Sequence, residues 1–125
     1  MLIKKSILII ILIILGFILL KIFYMSYLSV YGACNNVVPE GYVVSGSVTQ
    51  EEVNDSIVNV VRLKSFKTST LKHEYCHVNQ NIDKRNSYCN LKHYINEIEC
   101  YSSEYIPNFL YKSIYGYYSN LQNYL

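Results

Sequence analysis

The chain has 125 residues and a formal net charge of +2, with charges of both signs scattered along it, so no basic face offers itself to a nucleic acid. Once an apolar N-terminal stretch is set aside, the length allows a single small domain, with no internal repeat and no low-complexity linker to divide it.

Residues 7–20 form an unbroken apolar run, and beyond Lys21 it continues through Ile22, Phe23, Tyr24, Met25, Tyr27 and Leu28. That is about the 20 residues needed to cross a bilayer, with Lys21 able to snorkel and the tyrosines suited to the headgroup layer. Lys4 and Lys5 precede the run and no Lys or Arg occurs between Lys21 and Arg62, which predicts a cytoplasmic N-terminus and an outside location for the rest. Residues 1–30 are accordingly read as a membrane anchor and 31–125 as an extracytoplasmic domain. The alternative is a cleaved signal peptide and a secreted domain, but Val30-Tyr31-Gly32 before Ala33 is a poor small-residue cleavage context.

Residues 41–48 alternate loosely between glycine interruptions, and 56–63 are β-branched enough to be a strand. Asn54-Asp55-Ser56 fits a glycosylation acceptor. The fold class expected is therefore α+β: a transmembrane helix, then a small, mainly helical domain with a short sheet or hairpin.

His73-Glu74-Tyr75-Cys76-His77 spells H-E-x-x-H. Around it Leu71, Tyr75, Val78 and Ile82 recur at i, i+4, i+7 and i+11, the stripe of a core-facing helix. His73 and His77 lie opposite that stripe, one turn apart, where both imidazoles reach one metal ion while Glu74 stands beside the open coordination position. Thr68, Ser69 and Thr70 offer hydroxyls to cap the first turn, and the polar stretch 81–87 ends the helix. Zinc held by three protein ligands keeps a position for water, whose pKa it lowers towards neutrality. Glu74 is the expected base.

A third ligand has to come from downstream. Residues 91–106 again have helical spacing, with Leu91, Ile95, Ile98, Ser102 and Tyr105 along one side and Pro107 as the stop. Glu99 sits at the margin of that apolar stripe, whereas Glu97 and Glu104 share the far face with His93 and Cys100. A ligand must point into the interface with the first helix, so Glu99 is the first choice, Glu97 the second and His93 the third. Further on, Leu110, Ile114, Tyr117, Leu121 and Tyr124 recur at helical intervals and predict a last helix, weakened by Gly116.

These segments resemble a known family. Leu71 to Gln80 looks like the H-E-x-x-H-V-x-Q helix of small zincin metallopeptidases, and Asn96-Glu-Ile-Glu-Cys-Tyr101 like the E-x-E-A-Y-type helix that supplies the glutamate ligand in gluzincin-like members, with Cys100 where alanine is usual. The resemblance spans about residues 71–105. It implies a minimal zincin-like domain with a strand in front of the metal helix on which a substrate backbone lies, and 57–63 is the candidate for docking a peptide by strand addition. It further implies a hydrolase: His73, His77 and Glu99 hold Zn2+, Glu74 moves the proton of the attacking water to the leaving amine, and the substrate is a peptide or protein. The competing reading is a membrane-tethered binding or scaffold module whose metal site is structural or missing.

Four cysteines, Cys34, Cys76, Cys89 and Cys100, all lie outside under this topology. In an oxidising compartment they suggest disulfides, with three pairings open. Cys76 and Cys100 stand on the two helices that would share the metal and so could bridge them, which leaves Cys34 to Cys89. None has the close C-x-x-C spacing of a cysteine-rich zinc site.

Overall fold

The structure, a computed structural model, describes residues 1–80 and 89–115. In chain order it runs α1 (Leu2–Asn35), β1 (Gly46–Val53), β2 (Ser56–Leu63), α2 (Thr68–Asn79), α3 (Leu91–Ser103) and α4 (Asn108–Tyr115), an α+β arrangement.

With no proline before residue 39, nothing breaks α1, which continues for 34 residues, a rise of roughly 50 Å. It is the one helix among the described residues long and apolar enough to cross a membrane. No side chain is buried before Ile22; from there Ile22, Ser26, Leu28 and Gly32 turn one face into the domain. The helix ends at Asn36, whose left-handed backbone (φ 53°) lets its N–H and that of Val37 donate to the Gly32 carbonyl. The chain then folds back over α1. Pro39 accepts from the Tyr42 N–H at 3.1 Å, and Gly41 at φ +77° supplies the positive φ that the third residue of a type II turn requires.

The hairpin is antiparallel, with Gly46 opposite Leu63 and Val53 opposite Ser56. Its loop is Asn54-Asp55, both at positive φ (49° and 62°), the signature of a two-residue type I′ turn that matches the twist of the strands. The Asn54-Asp55-Ser56 stretch lies at this tip. The strand expected over 56–63 is β2, whereas of the stretch 41–48 only its end belongs to β1, which runs on to Val53.

Helix α2 is the hub. Thr70, Leu71, Lys72, His73, Glu74, Cys76 and His77 are all buried, because the hairpin packs on one side, α3 on another and α4 beside Lys72. Lys72 survives burial by donating from Nζ to the Ile106 carbonyl at 2.9 Å, and its own carbonyl accepts from the Tyr111 hydroxyl at 2.6 Å. The expected hydroxyl cap is not made: Lys67 occupies the cap position without a side-chain hydrogen bond, and Thr68, Ser69 and Thr70 fall inside the first turn. Ile82 and the stretch 81–87 lie outside the described residues, but α2 has ended by Asn79.

Asn90 opens α3 by accepting the His93 N–H on Oδ1 at 2.9 Å. The face that α3 buries is His93, Glu97, Cys100 and Ser103, while Leu91 and Ile95 are exposed. The apolar stripe read from the sequence thus points outward and the polar face points in. Disulfides Cys76–Cys100 and Cys34–Cys89 join α2 to α3 and the end of α1 to the start of α3. Leu71, the Cys76–Cys100 pair, Tyr111 and Tyr115 make the core, with Val61, Leu63, Tyr75 and Ile106 against it. Of the last expected helix, Leu110 and Ile114 lie on α4 and are exposed; Gly116, Tyr117, Leu121 and Tyr124 lie outside the described residues.

Candidate metal centre

One helical turn separates His73 and His77, and α2 aims both rings at Glu97 on α3. Nε2 of His73 and Nε2 of His77 are 3.2 Å apart. Glu97 stands against both, with Oε1 3.2 Å from the His77 nitrogen and Oε2 3.3 Å from the His73 nitrogen. All three residues are buried and offer ligand atoms close enough to share one ion. Ligands at the ~2.0–2.1 Å typical of zinc stand roughly 3.3 Å apart along the edges of a tetrahedron, so the spacing found suits such an ion. The carboxylate that meets the two histidines is thus Glu97. Glu99, which the apolar stripe had favoured, is exposed and turned away, its oxygens accepting from Gln80 Nε2 at 3.1 Å and the Tyr115 hydroxyl at 3.3 Å.

Behind the cluster, other groups fix its orientation. Gln80 donates from Nε2 to the Asn96 carbonyl as well as to Glu99, which leaves its Oε1 facing His77 Nδ1 at 2.9 Å. That oxygen can only accept, so Nδ1 donates to it and Nε2 is the nitrogen turned towards Glu97. For His73 the neighbour of Nδ1 is Glu104 Oε1, at 3.1 Å. The oxygen sits off the direction of the N–H, and Nδ1 is the one buried side-chain nitrogen or oxygen among the described residues without a well-directed hydrogen bond. The Tyr101 ring meets His73 edge-on, centroids 4.2 Å apart. His93, the third choice for a ligand, approaches Glu97 Oε1 at 3.3 Å through its Nε2, so all three histidines of the chain surround this carboxylate.

Electrostatics follow from that crowding. Burial pushes His73 towards the neutral form, but the carboxylates of Glu104 and Glu97 outweigh it and raise its pKa to about 9. Burial likewise opposes the charge on Glu97, and hydrogen bonds from His73, His77 and His93 reverse this to hold it well below the usual carboxylate range. Burial, with the Tyr42 hydroxyl beside it, raises Tyr101 out of the titrating range. Glu74, Glu97 and Glu104 place three carboxylates around rings that are neutral when they act as ligands, so the donor set fits a divalent cation in chemistry as well as spacing.

Glu74 is buried beside the cluster, its stem against Gly46: a Cβ at that glycine would meet Glu74 Cγ at 2.8 Å. With His73, His77, His93 and Glu97 it lines a cavity of about 310 Å³, whose other wall is Ser29, Gly32 and Ala33 of α1 with Val37, Val38, Tyr42 and Val44 of the returning segment. The strand bordering this cavity is β1, through Gly46 and Ser47, rather than the 57–63 stretch expected to dock a peptide.

Gln80, Tyr42, Tyr101 and Glu104 are the site residues that sequence reasoning left without a role. Only Gln80 carried a signal, three residues beyond His77 and so on the same helical face. No protein-family description, curated protein or solved structure matches the chain.

Proposed function

We propose that the chain is a membrane-anchored metallopeptidase, with zinc as the ion best suited to two imidazoles and a carboxylate. The observation that carries this reading is the convergence of His73, His77 and Glu97 on one point beside a cavity that Glu74 also lines. His73, His77 and Glu97 hold the ion, Gln80 orients the His77 ring, and the Glu104 carboxylate stands beside His73 Nδ1. When bound, the ion supplies a Lewis acid that polarises a carbonyl and acidifies water. Glu74 takes the proton of the attacking water on a carboxylate oxygen and gives it to the departing amine nitrogen. Val37, Val38 and Val44 receive an apolar side chain and displace water from the reacting bond. Gly46 and Ser47 offer backbone to an extended peptide.

A retained anchor fits better than a cleaved signal peptide. Cutting after Gly32 would remove two of the three α1 residues that line the cavity, and with them all four residues that α1 buries.

The test is the pair of variants Glu74→Gln and His77→Ala, purified as the full chain with zinc. Glu74→Gln is expected to keep its zinc and lose about 10²–10⁴-fold in hydrolysis of an unstructured peptide mixture, while His77→Ala loses both. Undiminished hydrolysis by zinc-loaded Glu74→Gln would overturn the mechanism. No hydrolysis by the wild type, with zinc held and the fold intact, would leave the scaffold reading in its place.

A further inference from the structure

The lower and upper parts of α1 do different things. From Leu2 to Leu20 the helix buries nothing and rises roughly 28 Å, close to the ~30 Å of a bilayer's hydrocarbon. At Lys21 its surroundings change. Lys21, Ile22 and Met25 share a second cavity, of about 290 Å³, with Lys67, Tyr101, Glu104 and Tyr105. Phe66, next to Lys67, is exposed, as is Tyr105. Lysine and tyrosine are side chains that settle at the headgroup level, so this end of the domain is its base.

From that base α3 and α1 run side by side in opposite directions. Cys89, just before α3, is bonded to Cys34; Tyr94 reaches the Phe23 carbonyl at 3.4 Å; and Tyr101 and Tyr105 are level with Lys21 and Ile22. The residues of α1 that wall the metal-centre cavity are Ser29, Gly32 and Ala33. They lie 8 to 12 positions above Lys21, which is roughly 12–18 Å along the helix axis. No linker intervenes. A domain on a flexible tether samples a wide volume, whereas here the membrane helix and the cavity wall are one uninterrupted element, pinned by a disulfide.

We infer that α1 fixes the cavity at a set height above the bilayer, so that the site takes chain segments lying within about ten residues of the membrane in proteins embedded beside it. An extended chain rising about 3.3 Å per residue reaches 12–18 Å in roughly 4–6 residues, and some slack extends the range. The chemistry done to such a segment rests on the metallopeptidase reading; the height does not.

The test uses the full chain in lipid vesicles together with a single-spanning bait whose long unstructured tail repeats one short peptide block, so that every height offers the same sequence. Two readouts are taken. With zinc-loaded wild type, cut positions are mapped by mass spectrometry. With Glu74→Gln, a photoreactive residue placed in each block in turn reports where the tail enters the cavity without any turnover. Cuts and crosslinks are both expected in the blocks nearest the bilayer, falling at least about tenfold towards the far end as the local concentration of tail at the fixed site drops. Crosslinks spread evenly along the tail, or favouring its far end, would overturn the inference. Crosslinks confined near the bilayer, with no hydrolysis of the bait, would uphold the height and remove the hydrolase.

Discussion

Glu97 is asked to do more than any other residue, since it faces His73, His77 and His93 at once. Its removal and that of Glu99 separate two kinds of role. Glu97→Gln is expected to abolish tight zinc binding, while Glu99→Gln only frees Gln80 to turn and falls within the roughly 10–100-fold loss typical of an outer partner. Zinc titration against a competing chelator reads both, and a greater loss in Glu99→Gln would reinstate Glu99 as the ligand. Gly46→Ala makes a third case, because the added Cβ displaces Glu74 and leaves the histidines alone. Hydrolysis is expected to fall with zinc content unchanged; a variant as active as wild type would remove Glu74 from the reaction. Protonation separates the metal-free and loaded states. His73 is raised from 6.5 to about 9 by folding, so its contribution, on the order of 3 kcal/mol and shared with Glu97, is complete below pH 6.5 and lost as pH rises through 9. Zinc needs the neutral ring and displaces that proton. The thermal midpoint of the metal-free chain is therefore expected to fall between pH 6.5 and 9, while the stabilisation gained on adding zinc grows over the same interval. A midpoint flat across that range would show that His73 is not the charged partner of Glu97.

Among the elements, α2 was the easiest to read and α3 the hardest. Four-residue spacing on a helix brings two histidines together whatever surrounds them, so His73, Glu74 and His77 were legible at once. The orientation of α3 was not, because the rule that a helix buries its apolar stripe fails where the buried partners are polar. Leu91 and Ile95 face out and His93, Glu97 and Cys100 face in, since each inward group finds a nitrogen, an oxygen or a sulfur to meet it. The information was nevertheless in the sequence. Pairing Cys76 with Cys100 already turns the Cys100 face towards α2, and Glu97 and His93 lie on that face, three and seven residues back. Likewise the strand over 56–63 follows from its β-branched residues, but which strand borders the cavity depends on the segment 37–44 folding back over α1, a long-range contact that no local pattern encodes. The Cys76–Cys100 bridge closes a separation of 24 residues, and both cysteines are fully buried. Replacing the pair by alanine is expected to cost about 3 kcal/mol and to loosen zinc, because the bridge holds α3 at the distance Glu97 needs. Denaturant titration of zinc-loaded protein measures the first, and unchanged zinc affinity in the variant would contradict the second.

At the scale of the whole molecule, one helix carries both an apolar run long enough to cross a membrane and the wall of the cavity. The apolar run and its length are plain in the sequence; that the helix continues past residue 30 to Asn35 and lines the cavity is not, because the apolar pattern stops short of that end. All of this matters for function only if a single cation gathers the two imidazoles and the carboxylate. X-ray absorption at the zinc edge, on the full chain loaded with one equivalent of zinc, tests that most directly. Two imidazole nitrogens and carboxylate or water oxygen at ~2.0–2.1 Å, with no sulfur shell near ~2.3 Å, are expected. A sulfur shell, fewer than two imidazoles, or zinc lost on desalting would contradict it.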